Sequence, residues 1–287
     1  EHPALRWGGM DVSSLAPATP TNALVETTNS YSVQASGTDV YGRATVGGAI
    51  LAPKLVGREP AAQRAVAVRP ARAEYLEGSI IITGGMGALG TLVATWLSGF
   101  GGGGALWLLG RSGRTSGASL PTALGAGTRA VVCARGDVAA TEEAAEVAAR
   151  AGDGTMLRGI MHAGAVLDSR VLSNVATDSV RAEYSGKVHG AAALLRRAAP
   201  AALGALQLFS SLAAFSGAAG QATYAAANGV MDAWALGAQG AGLPALAVQW
   251  GNWGGGGMAT RAGGFIARME RMGLGVLDPG AGLAVMA

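Results

Sequence analysis

The chain has a single cysteine, Cys133, so no internal disulfide can form. It sits in the apolar run Ala130-Val131-Val132-Cys133, which predicts a buried, inert thiol. Charged residues are scarce at 14%, and aromatics scarcer at 5%. Lys and Arg (21) exceed Asp and Glu (18) only enough for a net charge of +3, with no basic cluster, which argues against a nucleic-acid partner. No stretch reaches the roughly eighteen unbroken apolar residues of a membrane span. The Ala/Leu-rich region 191–209 is broken by Arg196, Arg197 and Pro200. The start, Glu1-His2-Pro3, shows neither an initiator Met nor a signal-peptide pattern, and the end stops in an apolar stretch. Both termini read as cuts from a longer polypeptide, with the cytoplasm as the default location. What the chain does have is apolar content, 50%, and 47 glycines. Its apolar runs are too ordered for low complexity, so they predict a sizeable core.

Two regions differ. Residues 1–75 are polar and rich in Thr, Ser and Pro, with strand candidates at Gly42–Leu51 and Leu5–Val12 and a connector at Gly57–Glu74. From residue 76 to 287, short apolar runs alternate with Ala-rich segments of helical length. The runs are Ser79–Thr83, Ala105–Leu109, Ala130–Cys133, Gly159–His162, Leu206–Ser210 and Ala245–Trp250. The helical candidates are Gly87–Ser98, Ala140–Ala151, Thr177–Ala198 and Tyr224–Gly240. Buried strands alternating with helices predict an α/β fold, a Rossmann-type doubly wound parallel sheet, behind a small β-rich N-terminal segment.

The first run leads into Thr83-Gly84-Gly85-Met86-Gly87-Ala88-Leu89-Gly90, which then opens a helix. Gly85, Gly87 and Gly90 match the G-x-G-x-x-G spacing in the strand–turn–helix context that gives it meaning. Glycine permits the tight turn, and the helix N-terminus offers unpaired N–H groups to a pyrophosphate. Thr83, Gly85, Met86, Gly87 and Leu89 are therefore candidate cofactor contacts. The second run ends in Gly110-Arg111-Ser112, where NAD sites usually carry an acid. A cation there favours a 2′-phosphate, which predicts NADPH, with Arg111 and Ser112 as contacts; a plain surface arginine is the alternative. Asp137-Val138 could edge the adenine or be an ordinary acidic turn. His162 and Ala163 end the fourth run, where small residues let the backbone lie under a cofactor; His162 itself reads as structural. No metal site is called.

Ser211, Tyr224 and Asn228 follow, with Lys187 upstream. Ketone reduction needs a hydride and a proton for the developing alkoxide. A tyrosine can give that proton, a lysine ammonium can lower its pKa, and a serine can hold the carbonyl oxygen. Tyr224 is read as general acid, Ser211 as positioning donor, Lys187 as electrostatic support and ribose contact. Asn228, one helical turn on, is read as a positioning or relay partner. Each residue alone also fits a bland role as a cap, helix start or solvated polar face. Their joint spacing behind a matched cofactor turn carries the reading.

These residues resemble the ketoreductase domain of a type I polyketide synthase, within the short-chain dehydrogenase/reductase superfamily. TGGMGALG, LLGRSGR, MHAGAVLD, YSGKVHGAAALL, LFSS, GQATYAAANGVMDAW and QWGNWGGGGMA follow that family's motifs in order over residues 76–287. The placement of Asn228 after the tyrosine, with Lys187 upstream, is similar to polyketide and related fatty-acid synthase ketoreductases. Residues 1–75 resemble more weakly the tail of the structural subdomain that precedes such domains. The resemblance implies NADPH-dependent reduction of a β-ketoacyl thioester to the β-hydroxyacyl thioester. It implies an acyl carrier protein and other synthase domains as partners, and a substrate lid at Gly254–Gly275. Two departures stand out. The family's His-Ala-Ala-Gly reads His162-Ala163-Gly164-Ala165, and its Leu-Asp-Asp reads Leu167-Asp168-Ser169. Ser216 stands where the opposite stereochemical class carries tryptophan, so no hydroxyl configuration is assigned. The alternatives are a non-reducing (epimerase or structural) domain of a synthase and a free-standing carbonyl reductase.

Overall fold

The computed structural model describes residues 44–46, 49–51, 77–100, 102–113, 129–154, 156–198, 203–254, 271 and 275–286. The chain divides into two compact units, Glu1–Ala67 and Val68–Ala287. In the first, β1 (Ala44–Val46) pairs antiparallel with β2 (Ala49–Leu51), Val46 opposite Ala49. The single strand expected at Gly42–Leu51 is thus two. Gly47-Gly48 separates them in sequence. The Leu5–Val12 strand, the Gly57–Glu74 connector and most of the Gly254–Gly275 lid lie outside the described residues.

The second unit is built on six parallel strands. They are β3 (Ser79–Thr83), β4 (Leu106–Gly110), β5 (Val131–Arg135), β6 (Leu157–His162), β7 (Ala205–Ser211) and β8 (Ala245–Trp250). Their order across the sheet is β5-β4-β3-β6-β7-β8, with every pairing parallel. The chain runs from β3 outward to β5, then returns to β6 beside β3 and runs outward to β8. The reversal lies between β3 and β6, where doubly wound sheets open a crevice at their carboxyl ends. A short parallel pair, β9 (Asn252–Trp253) with β10 (Val276–Leu277), follows β8.

Both faces of the central strands β3, β4, β6 and β7 are largely covered, which is why they read as unbroken apolar runs. Successive side chains take opposite faces. Ile80 and Ile82 join Val93, Ala94 and Leu97 of α1 (Ala88–Ser98), while Ile81 joins Ala144, Val147 and Ala148 of α2 (Thr141–Gly152). Cys133 is exposed, contrary to the buried thiol its apolar run predicts. Among the described residues β5 is one of the sheet's two edge strands. The strand alternation gives the covered face to Ala134, which packs with α2, and leaves Cys133 on the other face.

The helix expected over Thr177–Ala198 is interrupted. α3 (Thr177–Tyr184) passes into a π-helical turn, Ser185–His189, before α4 (Gly190–Arg197). The turn contains Gly186 and Lys187. Such widened turns recur at functional sites because they redirect a helix's side chains and carbonyls. After β7 come a short helix, α5 (Ala213–Ser216), and the long α6 (Ala222–Gly240); α7 (Pro279–Met286) ends the described chain. Among the described residues no helix is long and apolar enough to cross a membrane.

Candidate active site

The glycine turn after β3 is held by its own backbone. Gly85 N–H donates to Ile82 O (3.2 Å) and Leu109 O (3.3 Å), and Gly87 N–H donates to Gly84 O (2.8 Å). Gly84 takes φ of 63°, and a Cβ there would lie 3.1 Å from Gly164 Cα, so only glycine fits. A Cβ on Gly90 would collide with the Gly84 carbonyl, so α1 lies directly against the turn. Gly87 precedes α1 with no side-chain cap, leaving the first-turn N–H groups without a side-chain acceptor. The Met86 side chain is buried in the core, while Leu89 is half-buried on the same cluster. A cradle a Cβ would fill, beside an uncapped helix start, fits the pyrophosphate of a dinucleotide.

At the carboxyl ends of β4 and β5 a cavity of about 440 Å³ is lined by Arg111, Arg135, Asp137, Glu143 and Arg150, among others. Ser112 lies in the same turn as Arg111. Asp137 is partly committed: its carboxylate accepts Ala139 N–H (3.0 Å) and its own N–H donates to Glu143 (2.7 Å). Val138 packs toward α4, within 2.8 Å of where a Cβ on Gly190 would stand.

A buried polar chain joins this cradle to the lysine. Gly164 N–H donates to Thr83 Oγ1 (2.9 Å), and Thr83 Oγ1 lies 2.9 Å from His162 Nδ1. His162 Nε2 lies 2.8 Å from the Lys187 carbonyl. A carbonyl can only accept, so the assigned tautomer carries its proton on Nε2, and Thr83 donates to Nδ1. Burial, reinforced by the Lys187 ammonium, pushes the His162 pKa down to about 4, which keeps the ring neutral. The expected structural role of His162 fits this geometry. The glycine at 164, displaced from its usual place, is what allows the contact with Gly84: a Cβ there would stand 3.0 Å from Thr83 Oγ1. Ala163 is half-buried beside it.

Lys187 is 2% exposed. Its Nζ donates to Phe209 O (2.9 Å) and lies 5.3 Å from the Tyr224 ring centroid. Burial lowers its pKa to about 7, opposed by the carboxylates of Asp232 and Glu183. Ser211 ends β7, and its Oγ accepts Ala213 N–H (3.2 Å). Tyr224 and Asn228 lie one turn apart on α6, where Asn228 Nδ2 donates back to Tyr224 O (2.7 Å). Burial raises the Tyr224 pKa, while side-chain hydrogen bonding with Ser211 and Asn228 works against that. Asn228 Oδ1 is buried and, among the described residues, unpartnered. An unsatisfied buried acceptor is costly, so a loaded site would supply it a donor.

Thus Ser211, Tyr224, Asn228 and Lys187 meet around β7 and α6, while Arg111 and Asp137 stand apart at the β4–β5 end. Two carboxyls, one buried and one half-buried, escaped the sequence reading. Glu183, fully buried, accepts Asp168 N–H (2.8 Å), and Asp232 accepts Gln249 Nε2 (2.8 Å). Glu183 lies four residues before Lys187, and Asp232 four after Asn228; that helical spacing was the available signal.

Known proteins are similar to this chain in sequence and fold. A family model described as KR domain matches residues 78–255. Polyketide synthase GfsB of Streptomyces halstedii is 38% identical over 64% of this chain and 3% of its own length. The spectinabilin polyketide synthase system protein NorB of Streptomyces orinoci is 40% identical over 72% and 10%. The chain thus spans a small part of these relatives. A solved structure of A-type ketoreductases from a modular polyketide synthase overlays with a TM-score of 0.76 and 31% identity, covering 85% of this chain and 50% of that one. The first ketoreductase of the tylosin synthase overlays at 0.66 with 36% identity, covering 73% and 46%. With its switch-point glycine turn and its buried lysine beside a tyrosine, this chain belongs to the KR domain family, the nicotinamide-dependent ketoreductase domains of polyketide synthases within the short-chain dehydrogenase/reductase superfamily.

Proposed function

We propose that this chain reduces a β-ketoacyl thioester, carried on an acyl carrier protein, to the β-hydroxyacyl thioester, with NADPH as reductant. Residues 76–287 form the catalytic unit, and residues 1–75 are the remnant of a preceding structural subdomain. The observation that carries the reading is Lys187: a fully buried lysine 5.3 Å from the Tyr224 ring, beside the strand that ends in Ser211. A buried amine is costly unless paired or hydrogen-bonded, and groups held at such cost cluster at functional sites.

Bound NADPH supplies the hydride. Gly85, Gly87 and the start of α1 would hold its pyrophosphate, and Arg111 its 2′-phosphate. Tyr224 donates the proton to the oxygen as it gains negative charge. Its raised pKa suits this direction, since the phenol stays protonated and ready to give. Ser211 donates a hydrogen bond that orients the same oxygen. The Lys187 ammonium stabilises the phenolate left behind, and Asp232 and Glu183 favour that charged form. Asn228 holds the Tyr224 turn of α6 through its amide and offers Oδ1 to the loaded site. The partner domains of a longer synthase would deliver the carrier.

The test is NADPH oxidation by the full chain with a β-ketoacyl thioester, wild type against Tyr224→Phe. Turnover that falls by about two to four orders of magnitude in the variant, with NADPH binding retained, supports the reading. Wild-type NADPH binding without any turnover overturns it.

A further inference from the structure

Arg135 closes β5 and stands in register with Gly110, the residue before Arg111. The turn that follows Gly110 is tight. Gly113 N–H donates to Gly110 O (3.2 Å), and Gly113 adopts φ of 65°, a conformation for glycine. A Cβ on Gly113 would lie 3.0 Å from Arg135 Cβ. The turn bearing Arg111 therefore rests against the stem of Arg135, and both arginines line the same cavity.

The other charges in that cavity are already committed. Glu143 accepts the Asp137 N–H, and Asp137 accepts the Ala139 N–H. Arg150 pairs with Glu146 at 3.9 Å and lies 5.6 Å from the Trp107 ring centroid. Arg111 and Arg135 are exposed and, among the described residues, neither guanidinium makes a hydrogen bond or ion pair. Two uncommitted guanidinium forks at one cavity suit a dianion with three acceptor oxygens, which each fork can engage bidentately. Arg135 lies between the apolar run of β5 and the Asp137 turn, so its sequence position alone reads as a strand-end charge.

We propose that Arg135 is a second cation for the 2′-phosphate of the cofactor, acting with Arg111, so that β5 as well as β4 sets the preference for the phosphorylated dinucleotide. This rests on the reading that the cofactor is NADPH with Arg111 at its 2′-phosphate.

Calorimetric titration of the full chain separates the two claims. The probes are adenosine 2′,5′-bisphosphate and adenosine 5′-monophosphate, against wild type, Arg135→Ala, Arg135→Lys and Arg111→Ala. The expected result is a wild-type preference for the bisphosphate that Arg135→Ala reduces by about tenfold or more, as loss of a charged hydrogen bond predicts. Monophosphate affinity should be unchanged, which also shows that the variant is folded. Arg135→Lys should recover part of the loss. If Arg135→Ala binds the bisphosphate like wild type while Arg111→Ala does not, the inference is wrong and the NADPH reading stands. Equal wild-type affinity for the two probes overturns the NADPH reading itself and this inference with it. Parallel loss of monophosphate binding in Arg135→Ala also overturns the inference, because the effect would not belong to the 2′-phosphate.

Discussion

The two halves of the sheet's carboxyl edge are made of opposite materials. At the β4–β5 end, Arg111 and Arg135 are exposed charges on short turns around an open cavity. At the β6–β7 end, His162, Lys187 and Asn228 are almost fully buried, and each is hydrogen-bonded to a backbone carbonyl, of Lys187, Phe209 and Tyr224 respectively. Exposed charges act by being available. Buried ones have displaced pKa values, and their protonation becomes part of the chemistry. The difference suits a fold that recognises a ligand at one end and moves a proton at the other.

Removing the buried cation should have the largest effect. Lys187→Met is expected to lower kcat by about two orders of magnitude or more, with NADPH Kd changing far less. In the wild type, kcat should decline as pH rises through about 7, where Lys187 loses its proton, and the variant's profile should be flat there. A wild-type profile unchanged from pH 6 to 9 would break the contrast between the two ends.

Next is the stability held by His162. Its folded pKa is about 4, against 6.5 for the free group. Between those values the unfolded chain binds a proton that the folded chain does not, so stability rises with pH across that window. The contribution is complete above pH 6.5 and is lost as pH falls toward 4. It amounts to something on the order of 3 kcal/mol. Denaturant melts at pH 4.5 and 7 should show a steep acid dependence in the wild type and a shallower one in His162→Asn.

The smallest effect sharpens the other end. Exposed cations are screened by salt and buried ones much less. NADPH affinity should weaken by roughly tenfold or less between low and high ionic strength, while kcat at saturating cofactor stays constant. If kcat instead falls with salt and Kd does not, the assignment of roles to the two ends is reversed.

Much of this was legible in the chain. Six apolar runs became six parallel strands with ends shifted by at most two residues, and the clearest were the central ones, because a strand buried on both faces writes itself as a run. Gly85, Gly87 and Gly90 were legible because backbone geometry demands glycine. The break at Ser185–His189 was not, since Ala-rich flanks read as one continuous helix and the π turn is fixed by what it packs against. Cys133 misled because an apolar run does not say which strand lies at the sheet edge. Glu183, Asp232 and Arg135 went unread for a shared reason. A single charged residue, even one at helical spacing as Glu183 and Asp232 are, does not say which neighbours the fold will bring to it.

The exposed Cys133 has a practical consequence. It is the sole thiol of the chain and stands two residues before Arg135 on the same strand, about 7 Å along it. A maleimide fluorophore or spin label would attach there alone, without prior mutagenesis. Such a label would serve as a built-in reporter on the cavity at the β4–β5 end, and so on the proposed dinucleotide site, from the part of the sheet away from Lys187 and Tyr224.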